Sequence, residues 1–77
     1  MRRDTFFEGL MLSLSQEQKD TIRNSDAPYI NFYISVFNAG VVVRIEPTET
    51  PMEESVNGYD VTLSTDDVLL LLEKYHL

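Results

Sequence analysis

Two adjacent carboxylate pairs, Glu53-Glu54 and Asp66-Asp67, and one histidine, His76, are the groups in this sequence that fit acid–base or metal chemistry. A positioned carboxylate pair can divide the roles of general acid and general base. Neighbouring carboxylates in a chain usually point apart, and Asp66-Asp67 also suit the start of a helix. Nucleophilic catalysis needs a nucleophile beside a base. The chain has no cysteine, and its histidine lies one residue from the end of the sequence. A zinc site wants several ligands with supporting partners, and a calcium loop wants spaced oxygens around a central glycine. Neither pattern is present, nor is a glycine-rich phosphate loop. These residues predict no enzyme, no metal and no cofactor.

The remaining chemistry is recognition. The strand-like run YINFYISVFN places Tyr29, Tyr33 and Phe37 on one face, and Val42 joins them from the following run. Aromatics on an open sheet face mark an interface, unless Phe6 and Phe7 fold over them. Nucleic-acid binding would need basic residues among those aromatics, and only Arg44 is near. No direct nucleic-acid contact is expected.

Charge is the second recognition signal. The formal net charge is −7. Residues 1–45 hold five acids and five bases, which cancel, while residues 46–77 hold eight acids and Lys74 alone. Such a half repels nucleic acid and anionic membrane and is drawn to basic surfaces. Acids also simply keep a small protein soluble. The acids cluster in and just before the stretch TETPMEESVNGYD (48–60): Glu46, Glu49, Glu53, Glu54 and Asp60 are the candidate partner-binding residues and Met52 a soft apolar anchor. A connection of this length is functional or mobile more often than short loops are.

The elements that must position these residues follow from pattern. Thr5-Glu8 and Ser15-Gln18 fit capping boxes, which predicts two short helices near 5–12 and 15–24, or one bent helix. Phe7, Leu10, Met11 and Leu14 have helical spacing. Tyr29–Asn38 and VVVRIE (41–46) alternate about a turn at Asn38-Ala39-Gly40 and form a hairpin. Its inner face is Ile30, Phe32, Ile34 and Val36 against Val41, Val43 and Ile45. Pro47 and Pro51 should end the ladder, because proline donates no hydrogen bond. YDVTLS is a third strand, and Ser64-Asp67 caps a final helix through VLLLLEKYHL. The prediction is one α+β domain over 1–77, in the order α(α)-β-β-β-α. It has a three-stranded antiparallel sheet with its helices on one face.

At 77 residues a single domain buries only ~60–65% of its unfolded surface, which leaves little room for a deep substrate pocket. The longest apolar run, Val68–Leu72, is too short to span a bilayer. The absence of disulfide staples favours an intracellular, cytoplasmic home.

Small, cysteine-free, acidic α+β chains resemble a recurring type among phage-encoded inhibitors of host defence or repair proteins. These include anti-restriction DNA mimics, anti-CRISPR proteins and uracil-DNA glycosylase inhibitors. Glu54-Ser55-Val56 is similar to the Glu-Ser-aliphatic segment of some glycosylase inhibitors. The resemblance implies carboxylates standing where a target would meet phosphates. With the first 45 residues neutral, it implies a local acidic patch rather than imitation of a whole duplex.

Two readings follow. One is a non-enzymatic inhibitor docking its carboxylates on a basic, nucleic-acid-binding protein surface. The other is a structural or adaptor subunit that homodimerises through Tyr29, Tyr33, Phe37 and Val42. Neither involves a membrane.

Overall fold

A computed structural model describes residues 3–53 and 58–77. The order is α1 (Arg3–Leu12), α2 (Gln16–Arg23), β1 (Tyr29–Phe37), β2 (Gly40–Thr48), β3 (Val61–Ser64) and α3 (Thr65–Lys74). This is the α+β arrangement read from the sequence, with two separate N-terminal helices.

Local chemistry sets most boundaries. Ser15 caps α2 with a full capping box: its Oγ accepts from the Gln18 amide at 3.1 Å, and Gln18 Oε1 accepts from the Ser15 amide at 2.9 Å. Ser64 caps α3 by accepting from the Asp67 amide at 3.1 Å, with Asp66 and Asp67 in the positive first turn. The Thr5-Glu8 box is not a cap, because α1 begins at Arg3 and Thr5 lies inside the helix. A cap needs an extended backbone, which an interior helical residue lacks.

The sheet order is β2-β1-β3, with every pairing antiparallel. β1 pairs with β2 along nine residues, Tyr29 opposite Thr48 through Phe37 opposite Gly40. The two-residue turn between them is followed by Gly40 at φ +142°, a conformation that excludes residues with a Cβ. β3 pairs only with Tyr29–Phe32. Tyr59 and Asp60, expected within the third strand, precede it.

Pro47 does not stop the ladder; it lies inside β2, opposite Ile30. The reason is direction. Gln18 Nε2 donates to the Val43 carbonyl at 2.8 Å from outside the sheet. Residues two apart on a strand aim their amide groups to the same side. Pro47 therefore points its nitrogen off the sheet edge, where no strand asks it for a proton.

The helices cover one face. Ile30, Phe32 and Ile34 are buried against Leu10, Met11, Leu14, Ile22, Val68 and Leu72. Thr65 fastens the start of α3 to the start of β1, donating from its amide to the Pro28 carbonyl at 2.9 Å and from its hydroxyl to the Ala27 carbonyl at 2.6 Å. Arg23 reaches the Leu77 carbonyl and ties α2 to the end of the chain.

Candidate functional site

Beyond Phe32 the β1–β2 hairpin continues without β3 and becomes a two-stranded arm. Its distal pairs are Ser35–Val42, Val36–Val41 and Phe37–Gly40. The alternation expected for a core runs on along the arm, but the helices do not follow it. Val36 and Val41, on the same sheet face as buried Ile34, are 57% and 53% exposed. Phe37 and Val42, on the opposite face, are 60% and 58% exposed. The arm thus carries apolar side chains on both faces, and Ile34 to Val43 contains no charged residue.

Both edges of the arm are capped where it leaves the body. Asp60 Oδ1 accepts from the Ile34 amide at 2.8 Å, continuing the line that β3 abandons at Val61. Across the ribbon, Gln18 holds the carbonyl of Val43, the pairing partner of Ile34. By the same two-residue repeat, the amide groups of Val36 and Val41 face outward on opposite edges. Among the described residues no further strand pairs there.

The rest of the sheet face away from the helices is polar and joined up. Asn31, only 4% exposed, accepts on Oδ1 from the Thr62 hydroxyl at 2.6 Å and donates from Nδ2 to Glu46 Oε1 at 3.3 Å. The Tyr33 hydroxyl donates to the same Glu46 oxygen at 3.1 Å, and the Arg44 guanidinium lies 4.7 Å from the centre of the Tyr33 ring. Thr62 Oγ1 also accepts from the Met52 amide at 3.0 Å, which brings the acidic segment back against the sheet.

The sequence-derived candidates therefore separate. Glu49 and Glu53 are exposed; Met52 is half-buried beside Thr62. Glu46 serves the network across the sheet, and Asp60, half-buried, serves the arm. Glu54, with Ser55 and Val56, lies outside the described residues. Of the aromatic set, Tyr29 and Tyr33 are half-buried while Phe37 and Val42 stand exposed on the arm. Phe6 and Phe7 pack edge-to-face at 5.5 Å, and Phe6 lies against the core.

Val36 and Val41 were missed from the sequence, where their alternation assigns them to the core. The available signal is length: the run Tyr29–Asn38 is longer than YDVTLS, which is too short to pair with all of it.

Among the described residues, two surface depressions are lined without an acid of the 46–60 stretch. One, of about 690 Å³, is lined by Glu17, Asp20, Thr21, Asn24, Ser25 and Pro47. The other, of about 280 Å³, is lined by Phe7, Leu63, Asp67, Leu70, Leu71 and Lys74. Among the described residues, no cluster of three or more His, Asp or Glu side chains is placed to hold a metal ion, and no helix is long and apolar enough to cross a membrane. Comparison with protein-family models, with curated proteins and with solved structures gave no match.

Proposed function

We propose that the protein is a non-enzymatic binding module that docks on a basic surface of another protein and uses the hairpin arm as its apolar anchor. The observation that carries this reading is the arm: four apolar side chains, each more than half exposed, on a ribbon that leaves the body. Isolated exposed apolar residues are ordinary, whereas a contiguous set on a projecting element marks an interaction site. The acidic half supplies attraction at a distance. Glu49 and Glu53 face solvent, and the net charge of −7 steers the chain toward cationic partners. When the partner's basic surface is its nucleic-acid site, occupation of that surface makes the module an inhibitor. The homodimer reading is the weaker one, because Tyr33, with Asn31 beside it, is already engaged by Glu46 across the open face.

The test compares capture by the immobilised wild-type chain with capture by two variants, Phe37→Asp and the charge-reversed Glu49→Lys/Glu53→Lys pair. The reading expects a defined protein that Phe37→Asp fails to retain. The reversed pair retains it with slower association and a flatter salt dependence. Retention of the same protein by Phe37→Asp at wild-type level contradicts the reading.

A further inference from the structure

Resting on that binding reading, we infer that the arm is received by an apolar cleft of a partner protein that closes on both faces of the ribbon and carries backbone or side-chain polar groups at its walls. Three observations select this occupant over a flat surface, a second copy or a lipid bilayer.

The first is the division of the apolar groups. Val36 and Val41 lie on one face and Phe37 and Val42 on the other. Any flat surface, including the arm of a second copy, covers two of the four and leaves the other two in water. Working from ~60–120 Å² for a valine side chain and ~150–250 Å² for an aromatic one, the exposed portion of all four amounts to roughly 200–350 Å². One face of each of two arms therefore brings together about the same area in total. That is far below the ~1,200 Å² at which stable specific interfaces begin. A cleft that encloses the ribbon gathers both faces, the turn and both edges at once.

The second is the edges. Asp60 stands on one edge at the Ile34 amide and Gln18 on the other at the Val43 carbonyl, so a strand added along either edge of the arm meets a side chain there. Beyond those side chains the arm offers one outward residue on each edge, Val36 or Val41, and strand addition needs a run of main-chain bonds. Those outward amide groups also argue against lipid, where nothing would hydrogen-bond them. A protein wall can satisfy them.

The third is charge. The arm from Ile34 to Val43 is uncharged within a chain of net charge −7. Insertion of the arm desolvates no charged side chain of its own, while the acidic body stays at the mouth of the cleft. Two copies meeting through their arms would bring two such bodies together.

The experiment places the photo-crosslinker p-benzoylphenylalanine in the full chain, once at Val41 and once at Val42. These neighbours point to opposite faces, and circular dichroism checks each variant for the wild-type fold. Irradiation in cells producing the protein is followed by mass analysis of the adducts. The inference expects both positions to join the same partner polypeptide, at different segments of it. Adducts from one position only overturn the cleft and leave the binding reading standing. An adduct of twice the chain's mass replaces the cleft with a second copy. No protein adduct from either position overturns both the cleft and the binding reading. In parallel, the wild-type chain is sedimented with phosphatidylcholine vesicles. It is expected to stay in the supernatant, and co-sedimentation overturns the inference in favour of lipid.

Discussion

Replacing Asn31 with alanine tests why half of the open sheet face is not available to partners. Asn31 is nearly inaccessible, and its amide bridges β3 to β2 through Thr62 and Glu46. The substitution strips the Thr62 hydroxyl of its acceptor at 2.6 Å, in a place where water has little access. A buried polar group left without its partner costs ~1–3 kcal/mol. The bond to Glu46 is long, at 3.3 Å, and Glu46 is exposed to water, so its loss adds no more than ~0.5 kcal/mol. The sum is about 1–3.5 kcal/mol. Against a total stability of ~4–11 kcal/mol for a domain of this length, that is a large fraction. At ~4–8 °C per kcal/mol, even the lower bound lowers Tm by at least ~4 °C. The assay is urea unfolding followed by circular dichroism, with Thr62→Val and the double variant completing a cycle. Thr62→Val also deprives the Met52 amide of its acceptor, so it is destabilising by itself. The coupling between the two sites should be at least ~0.5 kcal/mol, as for residues in one network. A loss below ~0.5 kcal/mol for Asn31→Ala, with no coupling to Thr62, refutes the reasoning.

Two further predictions concern the frame. Ser64→Ala removes the cap of α3 and should cost ~1 kcal/mol, with hydrogen exchange rising first at the amides of Asp66 and Asp67; unchanged exchange there would contradict the capping role. Pro47→Ala should change stability by less than ~1 kcal/mol, because the proline already sits at an outward position of an edge strand. It adds an outward N–H, so light scattering should show more aggregation at high concentration, and a large loss of stability instead would contradict the outward position of Pro47.

Much of the frame was legible in the residues. Alternation in Tyr29–Phe37 and Val41–Glu46 correctly divides the two faces of the hairpin, because the side-chain period of a strand is two. Ser15 and Ser64 announced two helix starts, since each is followed at the third position by a residue whose amide it accepts. What alternation does not encode is the direction of the amide groups or the choice of sheet edge. Alternation and proline chemistry therefore make Pro47 a terminator, although its nitrogen faces outward. Pattern makes the run through Tyr59 and Asp60 a strand, whereas β3 starts at Val61 and the Asp60 carboxylate accepts from the Ile34 amide beyond it. The arm escaped for a related reason. Val36 and Val41 have the pattern of core residues, and only the extent of the helices in three dimensions leaves them outside. Among the acids, the sequence supplied the count but not the partners. Glu46 and Asp60 are held by the sheet, whereas Glu49 and Glu53 are left to solvent.

The central claim is that the arm's apolar side chains serve something outside the fold. It is tested most directly by unfolding the variant Val36→Thr/Phe37→Thr/Val41→Thr/Val42→Thr and measuring its partner capture alongside. Threonine keeps the β-branched preference for strand while removing the apolar surface. The account predicts a stability within ~2 kcal/mol of wild type, at ~0.5 kcal/mol for each exposed position, together with complete loss of the captured partner. A loss of several kcal/mol, or capture that persists unchanged, would contradict it.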